Sequence, residues 1–292
     1  MQLRGAFTAL VTPFKNGVVD EEAYRAFIEW QIEQGIDGVV PCGTTGEAPT
    51  ISHDEQGEII RICVEQVKGR VPVIAGAGSN NTREAVELAA MAKKAGADAA
   101  LIITPYYNKP TPDGLVAHFK ALATGASMPF ILYNVPGRTG QNVLPKTIAR
   151  IVREVPEVIG VKEATGDIKQ GTEVVEFLGR DFIVLSGDDY TVLPLLSVGG
   201  HGVISVTSNI APAKMAGMCQ AFFKRDITRA QALNLELMPL NRAMFLEVNP
   251  IPVKTAVALM GKIGLEFRLP LVPLEPANLA KLKEVLAQSG LI

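Results

Sequence analysis

In the stretch Val158-Ile159-Gly160-Val161-Lys162-Glu163-Ala164, Lys162 follows a short β-branched run that reads as a buried strand. An ammonium is poorly tolerated in such a run unless something uses it. At the carboxyl end of a barrel strand, where parallel barrels build their active sites, the amine is a candidate Schiff-base nucleophile. Only a neutral amine attacks a carbonyl. A free lysine titrates near about 10.4, so becoming half neutral at pH 7 takes ~4 kcal/mol of differential desolvation, which an apolar strand end can supply. The same spacing equally suits a lysine whose stem packs on the barrel while its head reaches solvent.

Cys42-Gly43-Thr44-Thr45-Gly46-Glu47 places two hydroxyls and several backbone N–H groups between glycines, a nest able to hold a carboxylate or an ordinary βα turn. Cys42 reads as a small packed residue, since no histidine lies nearby in sequence to activate it. In Tyr133-Asn134-Val135-Pro136-Gly137-Arg138-Thr139-Gly140 a strand-end phenol could relay protons, and Arg138 could grip a carboxylate with its fork. Each alone also fits a satisfied core tyrosine and a solvated loop arginine. Tyr106 and Tyr107, in Thr104-Pro105-Tyr106-Tyr107-Asn108-Lys109-Pro110, form an aromatic pair on a loop, as interfaces and sites often do. Gly76-Ala77-Gly78-Ser79-Asn80-Asn81 fails as a dinucleotide fingerprint because Asn81 stands where the third glycine belongs. His53, His118 and His201 lack ligand spacing and Gly187-Asp188-Asp189 is too slight for a metal site, so no metal is expected.

These residues need a scaffold, and the periodicity supplies one. Eight apolar runs, near Ala6–Val11, Gly38–Pro41, Val71–Ala75, Ala99–Ile103, Phe130–Asn134, Val158–Lys162, Phe182–Ser186 and Gly202–Val206, alternate with amphipathic stretches. Ser52 with Glu55 matches a capping box, and Asn81 with Glu84 reads the same way. Eight strand–helix units predict a (β/α)8 TIM barrel of the α/β class, with a doubly wound open sheet as the alternative. The alternation stops near Lys224, after which Pro239, Pro250, Pro252, Pro270, Pro273 and Pro276 break the helical pattern. The expected domains are a catalytic barrel over 1–224 and a small C-terminal helical domain over 225–292, packed together.

The chain has 292 residues, 48% hydrophobic and 20% charged, with a formal net charge of -2. Such composition describes a packed globular protein, and interspersed charges argue against a nucleic-acid partner. Cys42, Cys63 and Cys219 are odd in number and widely spaced, which fits a reducing, cytoplasmic setting. Met1 to Phe7 shows no export signal, and no uncharged run reaches the ~18 residues of a membrane span.

Taken in order and spacing, Gly43-Thr44-Thr45-Gly46-Glu47, Tyr133-Asn134-Val135-Pro136-Gly137-Arg138-Thr139 and Gly160-Val161-Lys162-Glu163-Ala164 resemble the dihydrodipicolinate synthase family across essentially the whole chain. These are pyruvate-dependent class I aldolases with a (β/α)8 barrel, a helical C-terminal domain and usually a homotetramer built as a dimer of dimers. The resemblance implies that Lys162 forms an imine with pyruvate, whose enamine adds to L-aspartate 4-semialdehyde; no cofactor is required. It implies Tyr133 as general acid/base, joined through Thr45 to Tyr107 of a neighbouring subunit. Thr44 and Thr45 would hold pyruvate, Arg138 the semialdehyde carboxylate, and Gly187, Asp188 and Ile204 match further pocket positions. His53, Asn80, Glu84 and Tyr106 match the family's inhibitory lysine site. Ala48 and Gln56 stand where sensitive enzymes often carry serine and histidine, so weak or absent lysine feedback is expected. N-acetylneuraminate lyases share the lysine and tyrosine, but typically have serine before threonine and lack the arginine, so Thr44 and Arg138 favour the synthases. A barrel that only binds a ligand is the alternative from another class, and retention of every catalytic residue type argues against it.

Overall fold

The computed structural model describes residues 3–292; Met1 and Gln2, the start of the stretch read for an export signal, lie outside the described residues. Eight parallel strands carry the fold: β1 (Gly5–Ala9), β2 (Gly38–Val40), β3 (Ile74–Gly76), β4 (Ala99–Ile103), β5 (Phe130–Asn134), β6 (Val158–Glu163), β7 (Ile183–Ser186) and β8 (Gly202–Ser205). Their order is β2-β1-β8-β7-β6-β5-β4-β3, and the parallel bridge Val39↔Val73 closes the ring between the two ends. The architecture is therefore a (β/α)8 TIM barrel, not the open sheet, with helices filling each crossover.

Two apolar layers account for the burial. Inside the barrel, Phe7, Ala9, Val40, Ile74, Leu101, Ile131, Leu185 and Ile204 pack together, while alternate residues such as Ala6, Phe130, Leu132 and Val161 face the helices. Because both faces are covered, the strands read as mainly apolar runs, with polar residues gathered towards their carboxyl ends, such as Lys162 and Glu163 on β6 and Asn134 on β5. The alternation also decides what faces the barrel axis on β6. Gly160 and Lys162 point inward; a Cβ on Gly160 would fall 2.9 Å from Ile131 Cδ1. Gly76 and Gly78, from the failed fingerprint, are packing glycines: Cβ atoms there would lie 2.0 Å from the Cys42 carbonyl oxygen and 2.4 Å from the Ile103 amide nitrogen.

Strand limits differ from the sequence expectation mainly at β3, which starts at Ile74 rather than Val71. The ribbon Phe14–Lys15 with Val18–Val19 was not expected. Its signal was present: Asn16-Gly17 between apolar residues, with φ 55° and 81°, is the left-handed pair of a two-residue hairpin turn. The Ser52/Glu55 capping box forms as expected. Asn81 caps the helix Thr82–Lys94, but Glu84 turns away from the box towards Ser79 and His53. Pro239 does not break a helix, as it sits inside Ile227–Ala243. The carbonyl it deprives of a partner belongs to Leu235, which is 70% exposed, so water can replace the lost bond. Helices Ile251–Leu259 and Pro276–Gln288 complete the chain, each beginning beside prolines at its first positions.

His118, on the helix Pro112–Ala126, is buried with Nδ1 2.9 Å from Thr82 Oγ1, and burial pushes its pKa down to about 4. The unfolded chain, titrating near about 6.5, binds this proton more tightly. Its stabilising contribution is therefore complete above pH 6.5 and is lost as pH falls towards 4, by up to about 3 kcal/mol. Unfolding temperatures measured from pH 7 to pH 4 should fall less steeply in His118→Gln than in wild type. Equal slopes would refute this assignment.

Candidate active site

Lys162 and Tyr133 are register partners on β6 and β5, and both point into the barrel at its carboxyl end. Lys162 is 6% exposed, with Nζ 4.2 Å from the centroid of the Tyr133 ring and no ion-pair partner among the described residues. A buried amine that no carboxylate occupies is available to a carbonyl. Above it opens a cavity of about 290 Å³. Ala9, Val40 and Leu101 form apolar walls, and the polar groups include Thr44, Thr45, Tyr133, Arg138, Lys162, Asp188 and Asn249.

The threonine turn follows β2. Three of its amides are used internally: Gly46 N donates to Gly43 O, Glu47 N to Thr44 O and Ala48 N to Gly43 O. The amides of Thr44 and Thr45 have no hydrogen-bond partner among the described residues. Two adjacent N–H groups beside two hydroxyls on a cavity wall can receive a carboxylate. Cys42 and Glu47 at either end of the turn hold left-handed backbone, at φ 55° and 60°. The Cys42 thiol is buried, and burial raises its pKa far above the ordinary thiol range, in keeping with a packed residue.

Arg138 lies at the mouth on the short helix Pro136–Thr139 and donates from Nη2 to the Asn249 carbonyl at 3.0 Å. Gly187 follows β7, where a Cβ would fall 2.5 Å from Ala164 Cβ and 3.0 Å from Lys162 Cε. Gly187→Ala should accordingly push the lysine stem off its position and cost ~10²-fold in kcat with little change in fold content. Steady-state rates beside far-UV circular dichroism check this; a rate within threefold of wild type contradicts it. Asp188 lines the cavity, and its Oδ1 accepts from Tyr190 N at 3.0 Å. Ile204, 1% exposed, lies in the apolar layer inside the barrel rather than on the cavity wall.

Tyr107 is not brought into this cavity. It is 90% exposed, with φ 70°, on the loop after β4. Thr45 Oγ1 instead accepts from Asn249 Nδ2 at 3.1 Å. The expected Tyr133–Thr45–Tyr107 chain is thus not assembled by one copy of the chain among the described residues. A second cavity, of about 230 Å³, abuts the first through Gly43, Thr44, Leu101 and Tyr133 and is lined by His53, Glu84 and Tyr106 together with Ala48 and Gln56. His53 Nε2 lies 2.9 Å from Glu84 Oε1. Asn80 stands beside this cavity, its Nδ2 donating to the Tyr106 carbonyl at 3.2 Å.

Sequence reasoning missed the supports. Glu163, buried next to Lys162, accepts from Asn134 Nδ2, Gln170 Nε2 and Thr165 N, tying the ends of β5 and β6 together. Asp189, which burial raises above the ordinary carboxyl range, accepts from Val206 N and Thr207 N beyond β8. Asn249, Lys254 and Arg268 reach the threonine turn from the C-terminal region, Lys254 from the helix Ile251–Leu259 and the other two from the loops flanking it.

A strand-end amine over a phenol, beside a nest for a carboxylate, puts this barrel in the class built for carbonyl chemistry on small oxo acids. The chain belongs to the Dihydrodipicolinate synthetase family, which it matches over residues 2–289. It is 67% identical over 292 residues, all of both chains, to the 4-hydroxy-tetrahydrodipicolinate synthase of Nitratidesulfovibrio vulgaris (strain DP4). Among solved structures it superposes with a TM-score of 0.97 on dihydrodipicolinate synthase from Thermotoga maritima, at 45% identity and with all of both chains covered. It matches equally, at 0.97 and 45% identity, a structure described as the first monomeric dihydrodipicolinate synthase variant, over 99% of this chain and 98% of that one.

Proposed function

We propose that this protein is a 4-hydroxy-tetrahydrodipicolinate synthase, condensing pyruvate with L-aspartate 4-semialdehyde on the route to diaminopimelate and lysine. The observation that carries the reading is the buried Lys162 amine, which among the described residues is free of any carboxylate and stands over Tyr133 beside two unpaired amides. The pyruvate carboxylate docks on the Thr44 and Thr45 amides and hydroxyls. Lys162 adds to C2, and loss of water gives a protonated imine. That cation is the electron sink, so a methyl proton leaves to give the enamine without a cofactor. Tyr133 takes and returns protons, and Thr45 connects it to Tyr107.

Arg138 receives the semialdehyde carboxylate at the mouth while Gly187 and Asp188 complete the pocket wall, with Ile204 in the apolar layer beneath it. The enamine carbon attacks the aldehyde, whose oxygen collects a proton. The semialdehyde's amine then closes the ring on C2 and releases Lys162. Turnover of L-aspartate 4-semialdehyde with pyruvate, run beside N-acetylmannosamine, tests the reading. Activity with the semialdehyde alone is the expected result, and preference for the sugar would make the protein a lyase instead.

The division into a barrel over 1–224 and a helical domain over 225–292 belongs to the same proposal. So does a homotetramer, a dimer of dimers in which Tyr107, exposed on one copy, enters the site of its neighbour. A cytoplasmic location fits the three buried free thiols. Among the described residues no helix is long and apolar enough to cross a membrane. The second cavity is the proposed lysine site, with His53, Asn80, Glu84 and Tyr106. Ala48 offers no side-chain hydrogen bond there, and the Gln56 amide is already committed to the Gly76 carbonyl at 2.8 Å. Each missing polar contact weakens binding by ~1 kcal/mol or more. A lysine titration should give half-inhibition no lower than millimolar; inhibition well below that would overturn weak feedback.

A further inference from the structure

Glu47 and Lys254 form an ion pair in which both side chains are fully buried, 207 residues apart in sequence. The Lys254 ammonium also lies 4.1 Å from the Phe14 ring centroid and 5.3 Å from that of Phe267. The second Glu47 oxygen accepts from Arg268 N at 3.3 Å, and the Arg268 guanidinium donates to the Thr50 carbonyl and to Glu55. A buried pair is a weak source of net stability, because desolvation offsets most of the attraction. Its location is more telling.

Glu47 closes the Gly43–Glu47 turn in left-handed backbone, and the glycines at 43 and 46 leave that turn intrinsically loose. It is fastened from outside at four points. Thr12 Oγ1 donates to the Gly46 carbonyl at 2.8 Å, Asn249 Nδ2 to Thr45 Oγ1 at 3.1 Å, and both Lys254 and the Arg268 amide to the Glu47 carboxylate. Three of the four come from the C-terminal region. Because Thr45 Oγ1 accepts from Asn249, its own proton stays free to be donated into the cavity.

We propose that Lys254, through its ion pair with Glu47, is a positioning residue for the Thr44–Thr45 turn, with Asn249 setting the direction of the Thr45 hydroxyl. This deepens the synthase reading and rests on it. Pyruvate, which docks on the turn, feels the pair; the semialdehyde carboxylate, held by Arg138, does not.

The test uses the full-length enzyme with two variants: the double variant Glu47→Gln/Lys254→Met, which removes both charges at nearly constant shape, and Glu47→Asp, which keeps the charge but withdraws it by one methylene. In both, the pyruvate KM should rise about tenfold while the semialdehyde KM stays within about twofold. The double variant should also unfold near the wild-type temperature, so a purely structural pair would leave its pyruvate KM unchanged. A wild-type pyruvate KM in either variant, or equal rises in both KM values, overturns the proposal. The dependence of borohydride-trapped imine on pyruvate concentration reads the same effect without the semialdehyde. A wild type that ignores the semialdehyde therefore sinks the synthase reading and leaves the positioning claim separately decided.

Discussion

Lys162→Ala is expected to lose at least ~10³-fold in kcat/KM while unfolding within a few degrees of wild type. The loss is that large because the imine is the intermediate through which every later step passes, and the cavity holds no second lysine. The fold is spared because Lys162 makes no ion pair among the described residues, and the barrel around it is held by Ile131, Leu185, Ile204 and their neighbours. Lys162→Arg should be equally inactive, since a guanidinium keeps its charge and cannot add to a carbonyl. Together the variants separate loss of the amine from loss of a positive charge. Retention of more than about a hundredth of the wild-type rate in either would place the chemistry elsewhere.

Lys254→Met alone is expected to cost about 3–5 kcal/mol of stability, because it strands the Glu47 carboxylate in a fully buried site. For a chain of this size that is on the order of 10 °C in unfolding temperature. Burial pushes the Lys254 pKa below the ordinary lysine range, with Glu47 pulling the other way, so the two charges depend on each other. The exposed pairs of Arg61 with Glu58 and Glu65 give the contrast. Screened by water, they contribute little, and Arg61→Ala should shift the melting curve only slightly. Calorimetry on the two variants settles the comparison: equal shifts would mean the buried pair is no more than a surface one.

Most of the barrel was legible because doubly covered parallel strands leave uninterrupted apolar runs, such as Ala99–Ile103 and Phe130–Asn134, that turn residues punctuate. Lys162 stood out because a cation inside such a run is physically expensive. Thr44, Thr45, Tyr133, Arg138 and Asp188 meet around it because they all sit at carboxyl ends of strands. Register decides what lines the cavity, and one chain carries no trace of it; Ile204 accordingly faces the apolar interior one layer away.

Local rules failed where tertiary contacts prevailed over them. Pro239 stays helical within a packed helix, and Glu84 leaves its capping role for Ser79 and His53. The supports of the site were illegible for a simpler reason. Nothing near Glu47 in sequence announces Lys254, and nothing near Thr45 announces Asn249. The Asn16-Gly17 turn, by contrast, is a local signal that the sequence carries in full.

The most direct test is to incubate the wild-type protein with pyruvate, reduce with borohydride, digest, and map the modified peptide by mass spectrometry. A reduced pyruvate adduct on Lys162, absent when pyruvate is omitted, is the expected result. An adduct on another lysine, Lys254 included, or none at all, would contradict the Schiff-base assignment on which the mechanism stands.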